Sequence, residues 1–510
     1  MSGIPDITFN VNTGGLGRQP AGEDHISGAI FYTSTLPSGF SSTSRIKQVF
    51  SLSQAESLGI LATNAGDETQ GTGTLVVTNK GANGDIATIK FLEPSGSYVT
   101  LATYTKISGD STNDLVARGI NAAINANTLI TGYSSTVLSS TVTITYRKGL
   151  GVWPNNGTPL AVTYSTGNTI AITVNQAVSA GVASKIAVFH YHISEYFRLK
   201  PNGNLYVGIY ASPSTDYAEV TTLRDYANGT IRQMSVFHSF SATTISTEVG
   251  RLQTVVNQSK TDKKWISSIL FAPEISGTSD LASLGTLVGL SSENVSVIIS
   301  QDGAAAGYYL WQTTSKSISD VGAKLGALSS GRVNQSWAWV AGFPMSNGVE
   351  LDTIMFSNGT LYNSVPQSQL DTLSDYAYCF LRKFTGYTGS YNNQPNTCSL
   401  FTSDFHYIYS NRVIDKAERV IYSNTIPALS SPIVLNSDGT MTDSTIAYFE
   451  SLANTALDVM VRDGEISAYS VTIDPAQNVL STNKIVETVS ILPVGVADFI
   501  EINIGFTTKL

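Results

Sequence analysis

Five histidines and scattered carboxylates are what this chain offers for acid–base or metal chemistry. His190 and His192, in the stretch VFHYHISEYF, read as two residues on one strand face with Glu195 close by, nominally a His/His/carboxylate metal set. No second cluster of Cys or His lies within sequence reach, so polar residues in an aromatic-rich core segment are the simpler reading. An acyl-transfer nucleophile would need G-x-S-x-G between strand and helix, and a zinc protease H-E-x-x-H; neither occurs. A dinucleotide site needs G-x-G-x-x-G directly after a strand, so that helix N-terminal amides meet the pyrophosphate. YVGIYASPSTDYAEV has no such turn, ISQDGAAAGYY offers only scattered glycines, and GALSSGRV lacks the Lys and Ser/Thr of a phosphate loop. Asp404 and Asp474 stand alone and read as turn residues. Catalysis requires convergent titratable groups. The expectation is a non-enzymatic chain with no metal and no cofactor.

Composition narrows the class further. Charged residues make up 13% of the 510, against roughly 25% in an average soluble protein. The net charge is −9 and there is no basic run, which argues against a nucleic-acid partner. No apolar run approaches the roughly 18 residues of a membrane helix. The first residues, MSGIPDITFNVNTGG, lack the positive flank and apolar stretch of a secretory signal. Cys379 and Cys398 are too few for a disulfide framework and read as two reduced thiols of a cytoplasmic protein. So little charge on so long a chain implies that partners hide much surface, or that hydroxyl and amide side chains cover it.

The elements that would position any site change character along the chain. After SGAIFYTSTL, a strand, FSLSQAESLGI has Ser53 and Glu56 at capping-box spacing before a short helix. Residues 71–182 are β-branched runs such as GTLVVTNKG, ATIKFLEP and SYVTLATYT between Gly/Asn/Pro turns. One helix interrupts them, with Leu115, Gly119, Ile120, Ala123 and Ile124 on one face. From Gly149 to Ser184 no residue is charged. Between 183 and 400 strands precede helical patterns, among them DLASLGTLVGL and SISDVGAKLGALSS, as in a largely parallel α/β sheet. Beyond 400 come two helices, NRVIDKAERVIYSNTI and STIAYFESLANTALDVMVRDGEI, the second capped by Gly464. A hairpin follows: Tyr469, Val471 and Ile473 alternate in its first strand, and Ile485, Val489 and Ile491 share a face of its second, interrupted by Glu487.

Both ends carry isolated strands on tethers. Ile7, Phe9 and Val11 alternate with polar residues before the breakers Gly14 and Gly15; Ile500, Ile502, Ile504 and Phe506 alternate after the breakers Pro493 and Gly495. A lone strand leaves its main-chain groups and apolar face unsatisfied in water. Folding back on its own hairpin is the ordinary outcome for a last strand. Strands at both ends, with a two-edged hairpin between, favour donation to neighbouring copies, and a subunit that gives its strand away propagates as a filament.

The C-terminal third resembles contractile tail sheath proteins of bacteriophages and related contractile injection systems. The residues that carry the resemblance are NRVIDKAERVIYSN and SDGTMTDSTIAYFESLANTALDVMVRDGEISAYSVTIDPAQNVLSTNKIVETVSILPVGVADFIEINIGFTTKL, with RIKQVFSLSQAESLGI as a further early match. It is carried most strongly by residues 405–510 and elsewhere by element order. The fold it implies is an α/β core sheath domain with a C-terminal α+β domain, an inserted all-β, sandwich-like outer domain with one helix, and extended terminal strand arms. The expected boundaries are an arm at 1–20, a body at 21–64 and 183–400, the insertion at 71–182, the α+β domain at 401–492 and a second arm at 493–510.

The family further implies hexameric rings stacked helically around a tail tube, with baseplate and tail terminator proteins as further partners. It implies neither nucleic acid nor membrane as partner, and a location in the virion tail after assembly in the host cytoplasm. Contraction of the assembled sheath drives the tube through a target envelope. By the resemblance, Ile7, Phe9 and Val11 and Ile500, Ile502, Ile504 and Phe506 are the donated strands. Val471, Ile473, Val489 and Ile491 line the accepting hairpin. Arg412, Lys416 and Arg419, at i, i+4 and i+7 of one helix, are the candidates for touching the tube. A baseplate or adhesin-like protein whose β module binds a receptor is the alternative.

Overall fold

The computed structural model describes residues 23–506 except 64 and 243. Ile7, Phe9, Val11, Gly14 and Gly15 therefore lie outside the described residues.

The body begins with strands β1 (Ile26–Tyr32) and β2 (Ile46–Val49) and helix α1 (Leu52–Ser57). The cap of α1 is Ser51, which accepts from the Gln54 N–H, while the Gln54 side chain accepts from the Phe50 N–H. The reciprocal pattern expected at Ser53 and Glu56 thus sits two residues earlier, where the extended backbone of Ser51 leaves its hydroxyl free to turn back.

The insertion follows as β3 (Thr72–Lys80), β4 (Ile86–Leu92), β5 (Tyr98–Thr105), α2 (Asn113–Ala126), the single turn α3 (Thr128–Thr131), β6 (Ser134–Leu138), β7 (Thr141–Thr145), β8 (Leu160–Tyr164) and β9 (Ile170–Ser179). Strands order β6-β7-β3-β9 in one sheet and β5-β4-β8 in the other. They share a core of their own, including Leu75, Ile89, Phe91, Ile120 and Tyr146. Helix α2, capped by Thr112, buries Val116, Ala117, Ile120 and Ile124. Leu115, expected on that face, points outward, one position off the stripe that meets the sheets. The insertion leaves and rejoins the body at one place: Thr69 and Val182 exchange two main-chain hydrogen bonds of 3.1 and 2.9 Å.

The chain returns through α4 (Lys185–Leu199), β10 (Asn204–Tyr210), α5 (Ala218–Tyr226), β11 (Gln233–Ala242), α6 (Ile245–Thr261), β12 (Ser268–Glu274) and β13 (Val295–Ile298). Next come β14 (Ser300–Asp302), α7 (Ala306–Thr314), α8 (Val321–Ser330), β15 (Ile354–Phe356), α9 (Gln367–Asp375), β16 (Tyr378–Cys379), β17 (Leu381–Phe384) and β18 (Tyr387–Asn392). Seven strands form the central sheet in the order β2-β10-β1-β11-β12-β13-β16, every pair parallel except β2 with β10. A parallel sheet needs cover on both faces. Residues of α5, α6 and α9 pack on one face with Ile30, Val236 and Phe271, and residues of α1, α4 and α8 on the other with Phe31, Val207 and Leu270.

Two expectations are corrected here. VFHYHISEYF is no strand but the middle of α4, and a step of two residues on a helix turns side chains apart, so His190 and His192 do not share a face. His190 Nε2 meets Glu56 Oε1 at 3.0 Å, whereas His192 is buried among Phe31, Tyr191 and Phe237, where loss of water pushes its pKa down to about 3. Strand-like composition arises because α4 is apolar nearly all round, packed against the sheet, α1 and α8. DLASLGTLVGL forms only the 3-10 turn Leu281–Ser283, capped by Asp280; its two glycines and its β-branched Thr286 and Val288 do not sustain a helix. Helix α8 comes unusually near α4: a Cβ on Gly322 would stand 2.3 Å from the His192 carbonyl oxygen, and one on Gly326 2.7 Å from that of Tyr196.

Candidate assembly site

The last part of the chain is α10 (Ile408–Thr425), α11 (Asp443–Arg462), β19 (Ile466–Ile473), the turn α12 (Val479–Thr482) and β20 (Glu487–Pro493). Helix α11 starts at Thr442, whose hydroxyl accepts from the Thr445 N–H, and stops at Gly464, whose φ of 69° is the left-handed conformation that glycine adopts without strain. The reversal at Gly464 lays β19 back over α11. Tyr469, Val471, Val489 and Ile491 then face Val413, Ala417, Leu457 and Met460 of the two helices. Ile473 is buried, and Tyr469 donates its hydroxyl to Asp458 at 2.6 Å. Asp474 accepts from the Ala476 N–H at 2.9 Å, the turn role expected of it.

Strands β19 and β20 pair antiparallel, with Val471 opposite Val489, Tyr469 opposite Ile491 and Ile473 opposite Glu487. Among the described residues no third strand joins them, so the sheet has two strands and two open edges. A two-stranded ribbon is marginal in water without further cover. Pro493, expected as a hinge, is the last residue of β20, opposite Ile466, and accepts from the Ser467 hydroxyl; the breaker in the connection is Gly495. Past it, residues 496–506 pair with no described strand. Ile500, Ile502 and Ile504 are 79%, 73% and 92% exposed, and Phe506 is wholly so. Neither composition nor periodicity explains so much apolar surface left in water on one polypeptide.

The basic trio on α10 is placed otherwise than expected. Arg412 is buried and donates to the carbonyl oxygens of Arg332, Gly331 and Asp24. Lys416 bridges Asp24 Oδ2 at 2.7 Å and Glu465 Oε1 at 2.6 Å, and Arg419 reaches Asp24 Oδ1 at 2.5 Å. Glu23 pairs with Arg232 and lies 3.8 Å from Arg419. Burial alone would raise the Asp24 carboxyl, but Arg419 and Lys416 outweigh it and hold it down at about 2. Loss of water lowers the Arg412 guanidinium to about 10. Arg412 is thus buried and Lys416 and Arg419 are half-buried, all three engaged by partners within the chain, whereas the expected tube contact supposes a free basic face. What they form is a clamp that sequence reading missed. It ties Glu23–His25, which immediately follows the segment read as the first arm and its hinge, to α10 and to Glu465 at the root of the hairpin.

No curated protein matches the chain by sequence. Similar solved structures include a chain of the anti-feeding prophage (AFP) baseplate, with TM-score 0.44 and 16% identity over 65% of this chain and 83% of that one. They also include the sheath complex of an extracellular contractile injection system (PVC) in the contracted state, with TM-score 0.40 and 16% identity over 63% and 81%. A third is a sheath tail protein from Listeria innocua, with TM-score 0.40 and 11% identity over 94% of each chain. Two family models, described as DUF2586, N-terminal domain and DUF2586, C-terminal domain, match residues 4–395 and 404–510, and the chain therefore belongs to the DUF2586 family.

Proposed function

We propose that this chain is a structural subunit of a contractile tail sheath, polymerising as stacked rings around a tail tube through strands donated between copies. The observation that carries the reading is the juxtaposition of a two-edged hairpin with an unpaired segment, residues 496–506, whose apolar side chains alternate at strand period. Burying each of Ile500, Ile502, Ile504 and Phe506 is worth roughly 1.5–3 kcal/mol, and main-chain bonds to an open edge supply the rest of a β-augmentation contact. The resemblance of residues 405–510 to sheath proteins agrees with it. In such a sheath the strand junctions persist while the bodies move as rigid units, and Gly495 takes up the change in direction. New contacts between bodies then provide the free energy that drives the tube through a target envelope.

Deleting residues 496–510 tests the reading by negative-stain electron microscopy. The full chain forms hollow striated tubes, and the truncated chain stays a soluble, folded protomer. Long tubes from the truncated chain refute strand donation; closed single rings from the full chain, never stacked, favour the baseplate alternative.

A further inference from the structure

A cavity of about 590 Å³ lies where the insertion joins the body, between α4 and α7. Ala187, Tyr191 and Glu195, spaced to share one face of α4, form one wall, and Ala306, Leu310 and Thr313 of α7 form another. Glu350 lines it from the loop before β15. Concave sites at such junctions, mostly apolar with a few convergent polar groups, are where small molecules bind.

The polar groups converge on the first turn of α7. Asp302 Oδ2 accepts from the Ala305 and Tyr308 N–H groups at 2.6 and 3.1 Å, and Glu350 Oε1 accepts from the Ala306 N–H at 3.2 Å. Tyr191 reaches the same turn, since a Cβ on Gly307 would stand 2.8 Å from its hydroxyl oxygen. The amides that could hold an anion at a helix start are therefore taken by carboxylates. The cations of the cavity are taken too. Arg198 pairs with Glu195 at 2.6 Å and donates to the Met345 carbonyl at 2.8 Å, while Arg147 holds Glu93 and donates to the Tyr309 hydroxyl at 3.0 Å.

Two polar atoms are left over. Tyr191 is only 5% exposed, yet its hydroxyl has no hydrogen-bond partner among the described residues, and the same holds for the buried Glu350 Oε2. Burial first, with additions from the charges of Asp302 and Glu195, holds the Glu350 carboxyl above its usual range, so a positive charge beside it would be welcome. No three His, Cys, Asp or Glu side chains among the described residues are grouped as a metal's ligands, whereas hard divalent cations take six or more oxygens. A primary ammonium needs less, because it brings three donors on one point charge. Apart from these groups the lining includes Ala62, Ala65, Ala187 and Leu310, which offer an apolar stem no polar partner.

We infer that this cavity binds a small primary alkylammonium, its nitrogen donating to Glu350 Oε2 and Tyr191 Oη and its stem lying along Ala187 and Leu310. Isothermal titration calorimetry of the full chain with hexylammonium, hexanol and hexanoate tests it, since the three share a stem and differ in charge. Hexylammonium binds saturably, hexanol more weakly and hexanoate not at all. Glu350→Gln lowers the hexylammonium affinity about tenfold, the scale of one charge-assisted hydrogen bond, and leaves that of hexanol unchanged. Tyr191→Phe, which removes a single oxygen atom, lowers it several-fold and serves as the second variant if Glu350→Gln does not fold. No binding of hexylammonium, equal binding of hexanoate, or an affinity indifferent to both substitutions overturns the inference. Tighter binding of Nα-acetyl-lysine-N-methylamide than of hexylammonium overturns a free amine as the ligand.

Discussion

Asp24→Asn perturbs the clamp with the least change of shape. The carboxyl is held at about 2 against an ordinary 3.8, and a shift of that size corresponds to about 2.5 kcal/mol. Its folded pKa is depressed, so this stability is fully present above pH ~4 and is lost as the pH falls through about 2. Glu465, raised first by burial and in smaller part by the Asp24 charge, acts with the opposite sign, gaining stability as it is protonated, and Asp24→Asn removes only that smaller part. The difference between wild type and variant therefore reports mainly on Asp24. At pH 6 the variant opens α10 more easily by about 2.5 kcal/mol or more, since Arg419 is also left buried beside a neutral amide. Between pH 6 and pH 3 the gap narrows by about 1 kcal/mol, as the wild-type carboxylate loses part of its advantage. Hydrogen exchange of the amides in Ile408–Thr425, corrected for intrinsic rates, measures the opening free energy directly. A gap that is the same at both pH values, or no loss at pH 6, refutes the reasoning and makes the clamp a surface decoration.

Other perturbations follow from the same geometry. Gly322→Ala drives a methyl group into the His192 carbonyl and costs roughly 1–3 kcal/mol in thermal or urea unfolding; an unchanged midpoint means that α4 and α8 are not in close contact. Replacing residues 71–181 with a short turn leaves a folded body, because Thr69 and Val182 already lie side by side and the insertion has its own core; calorimetry shows one transition lost, and aggregation of the excised protein counts against this. Cys379, whose pKa burial pushes up to about 12, and the equally buried Cys398 resist a thiol reagent at pH 8 until urea unfolds the chain; rapid labelling of the native protein contradicts their placement.

The local elements were legible where one periodicity dominates. The alternation of Tyr469, Val471 and Ile473 is a strand with one face on helices, and runs of the insertion such as GTLVVTNKG and ATIKFLEP are strands. The glycine that ends α11 was readable because only one backbone conformation at Gly464 lets the chain reverse there. In α4 the reading failed: a helix buried on nearly every side has no polar face, and without one the aromatic and β-branched residues mimic a strand.

The clamp marks the other boundary. Arg412, Lys416 and Arg419 at helical spacing look like a solvated basic stripe, and nothing local says otherwise. Their partner Asp24 lies 395 positions from Arg419, and only the docking of α10 beside the start of β1 brings the opposite charges together and removes the water between them. The sequence by itself determined most of the strands and helices, with α4 and the turn Leu281–Ser283 as exceptions, and that residues 496–506 carry an alternating apolar face, because those depend on neighbours a few positions away. The tertiary structure decided which charges are buried, which histidines are apart and that, among the described residues, both edges of the hairpin stay open, because burial and pairing are set by residues far away in the chain.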